Sequence, residues 1–160
     1  MTPTMTLCLE LSALLRQRRW MLATAESCTG GMIAAACTEL AGSSDWFERG
    51  FVTYSNAAKT ELLSVPSALI ETYGAVSEPV VRAMAVGAVA HAKAQVAMAV
   101  TGIAGPGGGS PDKPVGTVWL GWCVEGEVVS TCQHFTGDRA QVRAATVDHA
   151  LAQLLFLLKR

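Results

Sequence analysis

Short, unbroken runs of apolar residues alternate along this chain with longer stretches in which apolar residues recur at helical spacing. The short runs at 20–23, 50–54 and 96–100 predict strands, and the last has the continuous apolar character of a strand covered on both faces. The longer stretches are typical of helices that pack one face on a sheet. We predict helices over residues 7–18, 32–40, 56–63, 67–73, 78–93 and 138–158.

Two further runs late in the chain, 116–124 and 128–134, predict an antiparallel hairpin around Glu125, Gly126 and Glu127. Helices alternate with strands in the first part of the chain, and the hairpin follows them. This order predicts one α/β domain over residues 1–160, a layered α/β sandwich with a mixed sheet of about five or six strands.

Composition excludes several classes of partner. Hydrophobic residues make up 51% of the chain, the net charge is −1 and no run is rich in Lys or Arg, so we expect no binding of nucleic acid. No apolar stretch is long enough to span a bilayer, and the first residues do not resemble a signal peptide, so we expect no membrane association. The five cysteines are an odd number without metal-ligand spacing. They are typical of reduced thiols, which predicts a cytoplasmic protein without a metal or cofactor.

The segment AESCTGG at 25–31 joins the first predicted strand to the helix that follows it. Ser27 lies in this turn, and Thr29 is placed to be the N-cap of the helix. Amides at a helix N-terminus favour negative charge, so the turn suits a bound anion or the oxyanion of acyl transfer. Cys28 is a rival nucleophile, because a thiolate at a helix N-terminus is activated.

A serine hydroxyl needs a base to act as a nucleophile. The three histidines fall within predicted helices or at the end of a strand, and no Ser-His-Asp arrangement is evident. Lysine is an alternative base, because burial disfavours its charged form. Lys59 lies in the first turn of the helix predicted at 56–63, although spacing alone favours a solvated helix lysine.

Residues 102–114 are rich in Gly and Pro and follow the buried strand at 96–100. Glycines allow the backbone to approach an anion closely. The loop has neither the ending of a P-loop nor the spacing of a dinucleotide fingerprint, so a phosphate cradle and a surface loop both remain open. Ser44 lies in a turn at 41–44 and could either donate to a reacting group or serve the turn alone.

Five segments, taken together and in this order, resemble the CinA C-terminal domain family. They are AESCTGG at 25–31, GSS at 42–44, VTYSN at 52–56 followed by Lys59, GAVS at 74–77 and TGIAGP at 101–106. The resemblance extends from about residue 7 to the last helix. It implies hydrolysis of the carboxamide of nicotinamide mononucleotide to nicotinate mononucleotide and ammonia, without a metal, by a homodimer.

The same resemblance implies roles for residues of this chain. Ser27 would be the nucleophile and Lys59 the general base. Tyr54 and Ser44 would support the proton relay and the oxyanion, which amides near the paired glycines would also hold. The 5′-phosphate would lie in the glycine-rich loop. The expected substrate-binding residues are Thr29, Gly30, Gly31, Asn56, Thr101, Gly102, Gly105, Pro106, Gly107 and Arg139.

Three alternatives remain at this point. An enzyme with the same residues could act on another small amide or nucleotide amide. A non-catalytic nucleotide-binding module, related to the CinA proteins associated with competence and DNA damage, would not need a base beside Ser27. The Ala- and Gly-rich helix at 80–92 could also pack against another chain in an assembly.

Overall fold

The centre of the structure is a single mixed sheet of five strands. The computed structural model describes residues 1–160, and its strands are β1 (Leu22–Glu26), β2 (Phe47–Val52), β3 (Val96–Gly102), β4 (Thr117–Val124) and β5 (Glu127–His134). The strand order is β2-β1-β3-β4-β5. β1 pairs in parallel with β2 and with β3, whereas β4 runs antiparallel to β3 and to β5. The predicted α/β class and mixed sheet are therefore confirmed.

Two layers of helices cover this sheet. In chain order the helices are α1 (Pro3–Arg18), α2 (Met32–Thr38), α3 (Asn56–Leu63), α4 (Ser67–Tyr73), α5 (Glu78–Ala90) and α6 (Arg139–Lys159), and a 3₁₀ turn spans Ser43–Asp45. Helices α1, α2 and α6 pack together on one face, and α3, α4 and α5 pack together on the other. None of the helices combines the length and hydropathy needed to span a bilayer.

Alternate residues of β3 belong to two separate cores, as the period of a strand requires. Val96, Met98 and Val100 face the core that α1, α2 and α6 complete, whereas Ala97 and Ala99 face the core formed with α5. The strand is buried on both faces, as its continuous apolar run predicts. The small side chains of α5 pack on the molecule's own sheet.

Most element boundaries agree with the sequence pattern. The helices predicted at 56–63 and 67–73 and the late hairpin are present. Strand β1 begins two residues later than predicted, and β2 begins three residues earlier. Helix α5 ends at Ala90, three residues before the predicted end at residue 93. The hairpin turn consists of Glu125 and Gly126, which both have positive φ values, of 47° and 85°. A two-residue turn of this kind matches the right-handed twist of the paired strands.

Candidate active site

A cavity of about 260 Å³ lies at the carboxyl ends of the neighbouring parallel strands β1 and β3. The turn after β1, the connection between β2 and α3, and the glycine-rich loop after β3 converge there. Its lining residues are Ser27, Cys28, Tyr54, Asn56, Lys59, Ala75, Val76, Thr101, Gly102, Ile103, Ala104, Gly105, Gly107, Gly108 and Arg139.

Ser27 and Lys59 meet in this cavity. The Lys59 Nζ lies 3.1 Å from the Ser27 Oγ, and it donates to the carbonyl oxygens of Thr53 at 2.9 Å and Tyr54 at 3.2 Å. Only 1% of Lys59 is exposed, so it is not the solvated helix lysine that spacing alone allowed. The hydroxyl and the amine therefore lie within hydrogen-bond distance of each other.

The start of α3 explains how a lysine becomes buried there. Ser55 caps the helix, with its Oγ accepting from the Ala58 N–H at 3.1 Å. Helical side chains tilt toward the N-terminus of their helix. The side chain of Lys59 therefore extends back over the connection from β2, whose carbonyl groups surround its amine.

Burial lowers the pKa of Lys59, because an ammonium group loses hydration there. A neutral amine has two N–H donors and one lone pair. The carbonyl oxygens of Thr53 and Tyr54 can take both donors, which leaves the lone pair for the Ser27 hydroxyl. The surroundings of Lys59 thus suit a general base.

Two backbone hydrogen bonds fix Ser27. Its N–H donates to the Val100 carbonyl of β3, and its own carbonyl accepts from the Gly30 N–H, both at 3.1 Å. The predicted oxyanion role of the Gly30 amide is therefore corrected, because that donor is already used within the turn.

The N-cap prediction for Thr29 is wrong. Gly31, with a φ of 109°, occupies the N-cap position of α2 and provides no side-chain hydrogen bond. Thr29 is fully buried, and its hydroxyl donates to Glu26 Oε1 at 2.5 Å. Neither Thr29 nor the two glycines line the cavity, so they are not in place to contact a substrate there.

Cys28 lines the cavity but is a poor nucleophile. Burial raises its pKa to about 11, and the nearby Glu26 carboxylate also acts against the thiolate. The side chain is 6% exposed and stays protonated at neutral pH. This environment disfavours the alternative in which the thiol replaces the Ser27 hydroxyl.

Arg139 joins the glycine-rich loop to Tyr54 across the mouth of the cavity. Its Nη1 donates to the Gly105 carbonyl at 2.9 Å, and its Nη2 donates to the Tyr54 hydroxyl at 3.3 Å. The Tyr54 residue is 61% exposed, whereas its carbonyl contacts Lys59 inside. Asp138 and Gln141 form a capping box that fixes this end of α6.

The glycine-rich loop is built tightly on the end of β3. Gly105 has a φ of 82°, and a Cβ there would lie 2.4 Å from Val115 Cγ1. Thr101 is buried, and its hydroxyl donates to the Ala75 carbonyl at 3.0 Å, which ties the loop to the GAVS segment. Pro106 is exposed and does not line the cavity, in contrast to the prediction.

Ser44 is placed away from the cavity. It is exposed in the 3₁₀ turn that precedes β2, whereas Ser27 follows β1. Because β1 and β2 are parallel, the two serines lie at opposite ends of the sheet. The prediction that Ser44 supports the oxyanion is corrected by this placement.

Arg143 contacts the turn that contains Ser27, although it does not line the cavity, and it was not predicted from the sequence. Its Nε donates to the Cys28 carbonyl at 3.0 Å, and its Nη2 donates to the Thr29 carbonyl at 3.3 Å. It lies four positions after Arg139, so both arginines project from one face of α6. That spacing is the signal that could have identified it.

The histidines take no part in the cavity. His91 directly follows α5, His134 ends β5, and His149 packs against Trp122 and Phe135. No three side chains of His, Cys, Asp or Glu are arranged to hold a metal ion. The cavity therefore contains one candidate base, Lys59.

Known proteins are similar to this chain over nearly its whole length. The model of the CinA C-terminal domain family matches residues 5–158. The nicotinamide-nucleotide amidohydrolase PncC of Enterobacter agglomerans is 57% identical, over 93% of this chain and 92% of the relative. The PncC protein of Pseudomonas putida is 54% identical, over 98% of both chains.

Solved structures share the same architecture. The competence/damage inducible protein CihA from Agrobacterium tumefaciens has a TM-score of 0.95 and 43% identity, over 100% of this chain and 98% of that chain. The competence damage-inducible protein A from Klebsiella pneumoniae has a TM-score of 0.95 and 41% identity, over 98% of both chains.

Proposed function

The chain belongs to the CinA C-terminal domain family, and we propose that it hydrolyses nicotinamide mononucleotide to nicotinate mononucleotide and ammonia. The observation that carries this proposal is the 3.1 Å approach of the buried Lys59 amine to the Ser27 hydroxyl in the cavity. The names of relatives that are 57% and 54% identical support the substrate.

The reaction begins at the Ser27 hydroxyl. Neutral Lys59 accepts its proton while Oγ bonds to the carboxamide carbon of the substrate. The positive pyridinium ring makes that carbon more electrophilic. The resulting tetrahedral intermediate carries a negative charge on the former carbonyl oxygen.

Backbone amides are the natural donors to this oxyanion. Cys28 follows Ser27 and lines the cavity, and its N–H donates to no other residue. The first amides of α2 are unsuitable, because Ile33 and Ala34 already donate to Glu26 at 2.8 and 3.0 Å. We therefore expect Cys28 N–H to stabilise the oxyanion.

The collapse of the intermediate breaks the C–N bond. Ammonia leaves with the proton that Lys59 received, and the nicotinoyl group remains as an ester on Ser27. Water then attacks the ester carbon while Lys59 accepts one of its protons. The acid product departs, and the proton returns to the Ser27 oxygen.

The glycine-rich loop is the expected position of the 5′-phosphate. The N–H groups of Ala104, Gly105 and Gly107 donate to no group of the protein, and each of these residues lines the cavity. The Arg139 guanidinium at the same mouth supplies positive charge. Amide donors and a guanidinium are the groups that proteins use for phosphate.

We also propose that the protein works in the cytoplasm. All five cysteines are free thiols, which suits a reducing compartment. Cell fractionation with an antibody against the chain tests this, and recovery in a periplasmic fraction would contradict it.

A homodimer is the expected assembly, as the family resemblance implies. Sedimentation velocity over a range of concentrations measures the assembly directly. A monomer at micromolar concentration would refute the dimer without affecting the chemistry proposed for one cavity.

The experiment that tests the activity measures ammonia released from nicotinamide mononucleotide by the purified protein in the presence of a chelator. Ser27→Ala is expected to abolish release. Ser12→Ala is the matched control, because Ser12 is also 8% exposed but lies on α1. Nucleotide binding without ammonia release by the wild type would instead favour the non-catalytic binding module.

A further inference from the structure

Glu26 is a buried charged group that the proposed reaction does not use. Only two charged side chains are buried in the structure, Glu26 and Lys59, and each is 1% exposed. Glu26 directly precedes the nucleophile, does not line the cavity and forms no salt bridge. A buried carboxylate without a cation needs hydrogen bonds to compensate for its lost hydration.

Three donors supply that compensation. Oε1 accepts from the Thr29 hydroxyl at 2.5 Å and from the Ile33 N–H at 2.8 Å. Oε2 accepts from the Ala34 N–H at 3.0 Å. The two amides are at the start of α2, whose N-cap residue has no side chain. Glu26 therefore caps α2 from the end of the preceding strand.

These contacts connect the end of β1 to the middle of the turn and to the start of α2. The main chain of Glu26 is fixed in the sheet, where its carbonyl accepts from the Thr53 N–H at 2.9 Å. Its side chain reaches the middle of the turn at Thr29 and the helix beyond it. Ser27 lies between these anchors, which restrict the movement of its backbone.

We propose that Glu26, with the Thr29 hydroxyl, is a positioning residue that keeps the Ser27 Oγ in line with the Lys59 amine. It acts through the turn and not by contact with the substrate. Its effect on turnover rests on the amidase function proposed above. Displacement of reacting groups by about 1 Å can cost about a hundredfold in rate, so such a device matters for turnover.

Two variants test the contacts of the Glu26 carboxylate and of the Thr29 hydroxyl separately. Glu26→Gln keeps the shape, but its amide group places a donor against one of the three donors around it. Thr29→Val replaces the hydroxyl with a methyl group, and Thr29→Ser keeps the hydroxyl without the methyl group. Thr24→Val is the matched control, because Thr24 is a fully buried threonine on the same strand whose hydroxyl has no partner.

The expected result is a fall in kcat of about tenfold or more for Glu26→Gln and a smaller fall for Thr29→Val. Thr29→Ser and Thr24→Val should retain nearly full activity. The dissociation constant for nicotinamide mononucleotide, measured by calorimetry in a Ser27→Ala background, should stay within twofold when Glu26→Gln is added. A loss of kcat without a loss of affinity is the mark of misplaced reacting groups.

Amide hydrogen exchange provides a readout that does not require turnover. Glu26→Gln should accelerate exchange in peptides covering residues 27–34 and leave peptides from β4 and β5 unchanged. If the wild type released no ammonia, the amidase proposal would fail, and this exchange pattern alone would decide whether Glu26 orders the turn.

Three outcomes would overturn the positioning role. The first is a folded Glu26→Gln protein with kcat within twofold of the wild type. The second is a loss of affinity as large as the loss of kcat. The third is faster exchange throughout the molecule, which would make Glu26 a general stabiliser. If Glu26→Gln does not fold, the same measurements on Thr29→Val and Thr29→Ser test the positioning role.

Discussion

Lys59 has a long flexible side chain, and this side chain is buried because of where α3 begins. Its amine lies among carbonyl oxygens and 3.1 Å from the Ser27 hydroxyl. Burial lowers its pKa, so the neutral form needed to accept a proton becomes more populated near physiological pH. This single change of environment links the local structure to both the activity and the stability of the protein.

The activity should therefore rise with pH along a limb controlled by Lys59. Below its lowered pKa the amine is protonated and cannot accept the Ser27 proton, so kcat/KM should fall as the pH decreases. The inflection should lie below the ordinary lysine pKa of about 10.4. A pH profile of ammonia release measures this. Lys59→Ala should abolish turnover, and full activity in that variant would remove lysine from the mechanism.

The same lowered pKa predicts the pH dependence of stability. Between the lowered folded pKa and the unfolded value of about 10.4, the unfolded state binds more protons, so stability should rise with pH. At pH values below that window, the cost of burying the protonated Lys59 is fully present in the folded state. Urea denaturation measures the free energy of unfolding of the wild type and of Lys59→Met. The wild type should be less stable than the variant at neutral pH, and this difference should become smaller as the pH approaches 10. A constant difference would mean that Lys59 is not desolvated.

Cys28 should be dispensable for activity despite its place beside Ser27. Its pKa is raised to about 11 by burial, so little thiolate exists at pH 8. Cys28→Ala should retain most activity, and iodoacetamide at pH 8 should inactivate the wild type slowly. Loss of turnover in Cys28→Ala, with Ser27→Ala still active, would exchange the roles of the two residues.

Among the helices, a cap supplied by the residue next to the helix was predictable, whereas a cap supplied from the preceding strand was not. Helix α3 begins at Asn56 because Ser55 caps it, and that signal lies within a few residues. Helix α2 lacks a local cap, and Glu26 of β1 provides it instead. The pattern around Thr29 resembles a cap, but the threonine hydroxyl is used by that same glutamate.

Helix α6 contributes Arg139 to phosphate binding in the proposed function. Arg139→Ala should raise KM for nicotinamide mononucleotide about tenfold or more and change kcat little. The effect should be absent with nicotinamide riboside, which lacks the phosphate. Arg16→Ala is a suitable control, because Arg16 lies on α1 and contacts Gly42 and Asp45. An equal loss with both substrates would contradict a phosphate contact.

Helices α3 and α5 approach so closely that Gly87 has no room for a methyl group. A Cβ there would lie 2.0 Å from the Leu63 carbonyl oxygen. Gly87→Ala should lower the free energy of unfolding by about 1–3 kcal/mol, because the helices must separate. Val86→Ala, at a residue that is 47% exposed on the same helix, should change it by about 0.5 kcal/mol or less. Urea denaturation of both variants measures the difference.

For the whole molecule, the order of the strands explains where the cavity lies. The chain passes from β1 to β2 on one side and then returns to β3 on the other side of β1. Connections that leave neighbouring parallel strands in opposite directions open a crevice at their carboxyl ends. Ser27 and the glycine-rich loop follow these two strands. The sequence motifs identified the segments that form the cavity. Only the strand order shows that these segments lie together and that Ser44 lies at the opposite end of the strands.

A ligand in that crevice contacts segments from both halves of the chain, so its binding should stabilise the whole fold. In Ser27→Ala, which cannot turn over, nicotinamide mononucleotide at a hundred times its dissociation constant should add about 2.7 kcal/mol to the free energy of unfolding. Urea denaturation with and without the nucleotide measures this, and nicotinamide riboside at equal concentration should add less. Stabilisation of Ser27→Ala together with ammonia release by the wild type would support an enzyme. Stabilisation of both proteins without release would support the binding module, because occupancy of the cavity alone cannot distinguish the two functions.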